Sequence, residues 1–141
     1  MAATVQRILL WRGTVEDRPG ALAEVLEPIA AQGADLEIVM GYREAGEPQK
    51  AVIELYPVRG KKLTETAEGA GLRPSHVPAI LVAGSNRAGL AHRAARAIAD
   101  AGITISFLIA QTVGARYSAV FGFENDTDAA RAMGLIRKAV K

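Results

Sequence analysis

The stretch Asp17-Arg18-Pro19-Gly20-Ala21-Leu22 returns 69 residues later as Asn86-Arg87-Ala88-Gly89-Leu90. We call residues 17–22 the first turn motif and residues 86–90 the second turn motif. Further identities keep the same spacing, including Ile29 with Ile98 and Gly33 with Gly102. Because glycines stay in register at both ends of a helical pattern, we predict that the chain consists of two copies of one unit.

Each copy has the same predicted order of elements. A short apolar strand comes first, at Ile8–Thr14 and at Ala79–Gly84. A helix with apolar residues at helical spacing follows, and the glycine after it is expected to form a left-handed C-terminal cap. A two-stranded hairpin and a second helix complete the copy. In the first copy, a last strand is also predicted at Leu72–His76.

The order β-α-β-β-α with a last strand is the ferredoxin-like pattern. We therefore predict an α+β fold of two βαββαβ domains in tandem, residues 1–76 and 77–141. Each domain is expected to be an antiparallel sheet with its helices on one face. The second domain is predicted to lack its last strand, which would leave the edge beside its first strand open. Open edges are usually covered or paired, so we expect a homodimer.

The two turn motifs are the strongest candidates for a functional site. Asp17 and Asn86 are good helix-capping residues. A glycine in the first helical turn, predicted for Gly20 and Gly89, costs about 0.5–1 kcal/mol relative to alanine. Two explanations stay open: close packing of the helix on the sheet, or close approach of a ligand. Free N–H groups and the helix dipole suit a carboxylate, and an arginine in each motif adds positive charge.

The first turn motif, the helix after it and Gly33-Ala34-Asp35-Leu36 closely resemble the ACT domain family. The second turn motif with Ala101-Gly102-Ile103-Thr104-Ile105 resembles a second, more diverged copy, so the resemblance covers nearly the whole chain. It implies domains that pair side by side and bind small ligands, most often amino acids, at the domain interface. It thus implies a stand-alone, tandem ACT-like regulatory protein rather than an enzyme.

The resemblance also implies which residues bind the ligand. They lie in the turn motifs and in the strand after the first helix of each copy, at Leu36–Val39 and Ile105–Leu108. The implied ligand-binding residues are Asp17, Arg18, Gly20, Ala21, Leu22, Ile38, Asn86, Arg87, Gly89, Leu90 and Phe107. Asn86 replaces the aspartate of the first copy and Ala88 replaces its proline. The two motifs are therefore expected to differ in ligand preference, or one of them not to bind.

Composition argues against several other functions. With 17 basic and 15 acidic residues the charge is nearly balanced, which gives no support for binding to nucleic acid or to an anionic membrane. The two histidines, His76 and His92, have no neighbours at metal-ligand spacing, and the chain has no cysteine. We predict no metal site, no cofactor and no catalytic residues. The apolar run Ile8–Trp11 is too short for a signal peptide or membrane span, so the cytoplasm is the expected location.

A second function also fits the sequence. The missing last strand would leave an edge through which the second copy docks on a metabolic enzyme without a small ligand. A ferredoxin-like fold also serves single-stranded RNA binding, but Lys50–Tyr56 lacks the stacking aromatic residues of such sheets. The small-ligand and protein-docking functions therefore remain as the two alternatives.

Overall fold

The structure, a computed structural model, describes residues 3–141 and divides into two compact units. The first-repeat unit is Leu9–Ser75. The second-repeat unit combines His76–Lys141 with the described residues up to Ile8. In chain order the elements are β1 (Thr4–Ile8), β2 (Trp11–Glu16), α1 (Ala21–Ala31), β3 (Ile38–Arg43), β4 (Lys50–Tyr56), α2 (Lys61–Gly69), β5 (Arg73–Pro74), β6 (Ala79–Ser85), α3 (Leu90–Asp100), β7 (Ile105–Val113), β8 (Arg116–Phe123) and α4 (Asp126–Ala139).

Each unit contains one four-stranded sheet with the ferredoxin-like strand order. The first-repeat sheet runs β3-β4-β2-β5 and the second-repeat sheet runs β1-β6-β8-β7. Neighbouring strands in both sheets pair antiparallel. The predicted fold class of two antiparallel ferredoxin-like domains is confirmed.

The helices of each unit cover one face of its sheet. In the first-repeat unit, Ile29 of α1 and Ala67 of α2 share a core with Ile53 and Leu55 of β4, and all four are almost fully buried. In the second-repeat unit, helices α3 and α4 pack on Phe121 and Phe123 of β8 in the same way. Because the chain has few aromatic residues, both cores consist mainly of aliphatic side chains.

The glycines that follow the first helix of each repeat have left-handed backbone conformations, as predicted. Gly33 and Gly102 both have φ of 73°. The Gly33 N–H donates to the Ala30 carbonyl at 2.9 Å, and the Gly102 N–H donates to the Ala99 carbonyl at 2.9 Å. These bonds satisfy carbonyl groups that the end of a helix would otherwise leave unpaired.

The sequence-based prediction of an open edge in the second repeat was wrong. The repeat supplies three strands of its own, but the place beside β6 is taken by β1, which pairs with it from Thr4↔Ala83 to Ile8↔Ala79. The N-terminal residues thus belong to the second-repeat unit, which differs from the boundaries 1–76 and 77–141. Strand β1 was not predicted because its apolar residues Val5 and Ile8 are three positions apart, whereas a half-buried strand has apolar residues at every second position.

Membrane insertion finds no support in the helices. None of the four helices within residues 3–141 combines the length and the apolar character that crossing a bilayer requires.

If β1 completes the second core, a charge on its inner face will destabilise that unit. Val5 is partly buried against the second-repeat core, whereas Thr4 beside it is exposed. We expect Val5→Asp to lower the free energy of unfolding by about 1–3 kcal/mol, and Thr4→Asp to have little effect. Urea denaturation of both variants measures the difference. Equal effects of the two substitutions would contradict the packing of β1 on this core.

Candidate ligand-binding site

Both turn motifs pass from strand to helix through a left-handed glycine. Gly20 and Gly89 are the N-cap residues of α1 and α3, with φ of 87° and 84°. A Cβ on Gly20 would meet only the Arg18 Nη1 atom, at 3.9 Å, and a Cβ on Gly89 would meet nothing within 4 Å. Neither close packing nor a ligand is therefore needed to explain the glycines. They are required because other residues rarely adopt this backbone conformation.

The left-handed caps leave the starts of both helices without a side-chain acceptor from the N-cap residue. Helix α4 shows the contrast, because its N-cap Asn125 accepts a hydrogen bond from the Asp128 N–H at 2.8 Å. Asp17 and Asn86, expected to cap, lie three residues before the N-cap. The first turns of α1 and α3 thus start with amide groups whose partial positive charge favours an anion.

Asp17 and Asn86 instead tie each turn motif to the hairpin of its own unit. The Asp17 carboxylate forms an ion pair with the Arg43 guanidinium at 2.7 Å. At the corresponding positions of the second repeat, 69 residues later in both cases, the Thr112 hydroxyl donates to the Asn86 side-chain oxygen at 3.3 Å. A charged pair in the first repeat is therefore a neutral pair in the second.

The two motif arginines are held differently. Arg18 forms ion pairs with Glu24 and, at 3.5 Å, with Glu16. The hydrogen bond and the charge of Arg18 lower the pKa of Glu24, and the same contacts raise the pKa of Arg18. Arg87 instead donates to the main-chain oxygens of Val140 and Lys141, at 3.2 and 2.6 Å. Arg18 is thus bound by carboxylates of its own unit, whereas Arg87 is bound by main-chain groups.

A cavity of about 350 Å³ lies in the second-repeat unit, between the start of α3 and strand β7. The second turn motif, residues 86–90, lines it together with Ala91, the first residue after the motif. Leu108, Ala110 and Thr112 of β7 form the opposite wall, and core side chains such as Phe121 form its floor. Loop, helix start and edge strand thus enclose a largely apolar space.

Tyr117 contributes to the same cavity wall and has an unusual hydroxyl. The hydroxyl oxygen is buried, and no residue of the described chain (residues 3–141) gives it a hydrogen-bond partner. Burial raises the pKa of Tyr117, and the nearby charge of Arg87 opposes that shift. Buried polar groups without a partner are rare in proteins and cost about 1–3 kcal/mol each. The cavity wall is therefore a place where hydrogen-bonding capacity is unused.

Another cavity, of about 320 Å³, lies in the first-repeat unit at the first turn motif. We call it the first cavity, and we call the cavity at the second turn motif the second cavity. Asp17, Arg18, Ala21 and Leu22 line it, whereas Gly20 is not among its lining residues. The Leu22 side chain reaches across to β3, where its Cδ2 atom lies 3.9 Å from the place of a Cβ on Gly41.

Leu22 marks one difference between the two cavities. The residue 69 positions later is Ala91, whose methyl group cannot bridge to the strand as the leucine does. The second cavity is therefore open at the point where the first is narrowed.

The first cavity also has more charged and polar walls. Glu16, Asp17, Arg18 and Arg43 contribute to it. Tyr42 lines it as well, and its hydroxyl donates to the buried Glu54 carboxylate at 2.7 Å. Burial and this hydrogen bond raise the pKa of Tyr42 to about 12.

Three of the predicted ligand contacts, Gly20, Ile38 and Phe107, line neither of these cavities. Ile38 pairs with Tyr56 and Phe107 pairs with Gly122, one residue away from the core residues Leu55 and Phe121. Because successive residues of a strand point to opposite faces, both lie on the face away from the helices. The Phe107 ring lies across Gly122 there.

The structure brings the remaining predicted residues into two groups. Four residues of the first motif (Asp17, Arg18, Ala21, Leu22) line the first cavity, and four of the second (Asn86, Arg87, Gly89, Leu90) line the other. Sequence reasoning missed the opposite wall at Leu108, Ala110 and Thr112, and also Tyr117. The alternation of β7 offered a signal, since these β7 residues share the side of the strand opposite to Phe107. Ligand binding by any of these residues remains a prediction.

The described part of the chain, residues 3–141, has no group of three or more histidine, aspartate or glutamate side chains placed to hold a metal ion.

No protein-family model and no curated protein sequence matches the chain. Solved structures do match it. A protein of Bacteroides thetaiotaomicron is 14% identical, with a TM-score of 0.74, over 92% of this chain and 88% of its own. The ligand-free regulatory subunit of aspartate kinase from Thermus thermophilus is 17% identical, with a TM-score of 0.66, over 100% of this chain and 98% of its own.

The chain has the tandem ACT fold. The similarity to the Thermus subunit extends over both repeats, since nearly the full length of each chain is covered. E. coli aspartokinase III in complex with aspartate and ADP also matches, at 12% identity and a TM-score of 0.58. This chain covers 33% of that enzyme. The tandem ACT fold is thus found both in separate subunits and as part of a longer chain.

The left-handed caps lead to a test of the turn motifs. We expect Gly89→Ala to lower the free energy of unfolding by about 1–2 kcal/mol, because alanine is strained at a φ of 84°. Gly134→Ala is the matched control, since Gly134 is exposed within α4 and its φ is not positive. There, alanine should raise stability by about 0.5–1 kcal/mol. Thermal and urea unfolding measure both, and a neutral Gly89→Ala would disprove the strain.

Proposed function

We propose that the protein is a regulatory protein that senses a free amino acid, with its binding site in the cavity of the second-repeat unit. One observation carries the proposal: an apolar cavity of about 350 Å³ adjoins the start of α3, where Gly89 provides no side-chain cap. The volume lies near the lower end of the range for small-molecule sites, about 300–1,000 Å³. Such a space suits one amino acid better than a nucleotide or peptide.

The polar groups of this cavity suit the two charged ends of an amino acid. The amides and dipole at the start of α3 favour the carboxylate, and Arg87 adds positive charge beside them. The Asn86 side-chain oxygen accepts from Thr112 and retains a second lone pair for an ammonium group. The paired charges of the first cavity make it the weaker candidate.

The fold and the chemistry of the cavity support a regulatory role. Solved structures that share this fold include a regulatory subunit of aspartate kinase. Among the residues that line the cavity, all within the described chain, none forms the nucleophile–base pair that covalent catalysis requires. A ligand regulates by binding one state of the protein more tightly than another.

A homodimer paired along β7 belongs to the same proposal. This strand lies at the end of its sheet and runs for nine residues. Leu108, Ile109 and Val113 on it are exposed. Residues of β7 also line the cavity, so a partner strand beside it would lie next to the ligand. An edge of this length and character favours pairing with another chain.

The protein-docking alternative was based on an open edge beside β6, but β1 occupies that edge. The exposed edge strand β7 offers another surface on which an enzyme could dock. A metabolic enzyme that adds a strand there, without any small ligand, is the second candidate function.

A thermal-shift screen of the twenty amino acids tests the leading proposal. At 100 times the dissociation constant, a ligand of the folded state should add about 2.7 kcal/mol of stability. We expect Ala91→Leu to abolish this gain, because a leucine there narrows the cavity as Leu22 narrows the first one. The control is Ala99→Leu, the same change at an exposed position of α3 outside the cavity. If no amino acid raises the melting temperature, the proposal is wrong.

Affinity capture from the native cell extract separates the two candidates. If the protein senses an amino acid, we expect a captured partner to change in amount when the amino acid found in the screen is added. A stoichiometric enzyme partner that stays constant under all twenty amino acids would favour the docking function. Ile109→Lys on β7 should release such a partner, because the added charge opposes strand pairing at an exposed edge.

A further inference from the structure

We infer that the second-repeat cavity selects amino acids with an uncharged, apolar side chain about the size of leucine, methionine or phenylalanine. This inference rests on the proposed function, and it names the class of ligand. The observations that carry it are the chemistry of the cavity wall and the residues by which it differs from the first cavity.

The inner wall of the cavity is built from the hydrophobic core. Val82, Ala94 and Phe121 line it, and each is at most 2% exposed. Leu90 and Leu108 extend the apolar surface toward the opening. A ligand side chain that contacts these buried residues loses part of its contact with water. A charged side chain pays a large desolvation cost there unless an opposite charge compensates it.

The cavity has no group that would compensate a cationic side chain. Its lining residues, all of them within the described chain, include no aspartate or glutamate. Lysine and arginine are therefore disfavoured as ligands. The two lining residues that could pair with aspartate or glutamate, Arg87 and His92, are both exposed, so neither lies at the buried inner wall that receives the ligand side chain. Against the core residues Val82, Ala94 and Phe121, an apolar side chain carries no desolvation cost of this kind.

Three paired positions show how the two repeats have diverged toward this chemistry. The charged pair Asp17–Arg43 corresponds to the neutral pair Asn86–Thr112. Leu22, which reaches over β3, corresponds to Ala91. The first of these differences removes charge from the second cavity and the other removes a leucine side chain, whereas at two further lining pairs, Ala21–Leu90 and Gly41–Ala110, the second repeat has the larger apolar residue. The second cavity is thus the less charged and the more apolar of the two, at nearly equal volume.

Isothermal titration calorimetry of the full chain tests the selection directly. The ligands are leucine, methionine and phenylalanine, with alanine, lysine and aspartate as comparisons. Burial of the additional carbon atoms should make at least one of the first three bind 10-fold or more tighter than alanine. Lysine and aspartate should bind no more tightly than alanine.

The possible outcomes separate this inference from the proposed function. Binding of lysine or aspartate as tight as that of leucine would overturn the apolar selection and leave amino-acid sensing intact. Equal binding of alanine and leucine would do the same, since the chamber would then not hold the side chain. If none of the twenty amino acids binds, the sensing proposal fails along with the selection.

A variant reverses the selection. Ala110 lines the cavity from β7 and is exposed, so Ala110→Asp should fold while placing a carboxylate in the wall. We expect the dissociation constant for leucine to rise 10-fold or more, and lysine to bind more tightly than leucine. Ala99→Asp, on the exposed side of α3, should leave both affinities unchanged. Unchanged leucine binding in a folded Ala110→Asp variant would overturn the inference.

A second variant covers the possibility that the charged substitution prevents folding. Leu108→Ala removes apolar surface from the same wall without adding a charge. We expect it to weaken leucine binding about 10-fold while alanine binding changes little. A loss of the same size for both ligands would show that Leu108 does not contact the ligand side chain, contrary to the inference.

Discussion

The turn from the first strand to the first helix of each repeat depends on a glycine in the left-handed conformation. At Gly20 and Gly89 the chain reverses direction within a few residues and starts a helix without a capping side chain. This turn places the start of the helix opposite the strand that follows it in the chain, β3 in the first repeat and β7 in the second. The candidate site exists because the backbone, rather than a side chain, makes the reversal. The glycine is thus required for the turn itself, and it also leaves the helix amides free of a capping side chain.

The two repeats differ in the charge that they place at this turn. The first repeat has a leucine that reaches over Gly41 and the ion pair of Asp17 and Arg43. The second repeat has Ala91 and the neutral Asn86–Thr112 pair in the same places. A packing role in one repeat and a binding role in the other are both compatible with one backbone. Tandem duplication permits this division, since either copy alone maintains the turn.

Much of the fold could be predicted from the sequence because the patterns that indicate it lie within short stretches of the chain. The repeat was visible through glycines that need positive φ, as at Gly33 and Gly102, where the backbone requirement is independent of the rest of the chain. The strand β1 was missed because its pairing with β6 spans more than seventy residues and leaves little alternation in its own sequence. The candidate site could be predicted only in part, because its opposite wall on β7 is distant in sequence from the turn motif. The turn motifs line the two cavities, whereas Ile38 and Phe107 lie on the opposite face of their strands, since a shift of one residue along a strand moves a side chain to the other face.

The position of β1 also bears on how a ligand signal would travel. Val82 of β6 lies in the cavity wall and is the direct partner of Val5 on β1. The chain leaves β1 at Ile8 to build the first-repeat unit and returns to β6 at Ala79, and these two residues are themselves paired. Both covalent connections of the first-repeat unit are therefore anchored on the strand that lines the cavity and on its neighbour. Under the proposed function, a ligand that shifts β6 acts on both anchors at once, whereas a contiguous domain of residues 77–141 would have offered one.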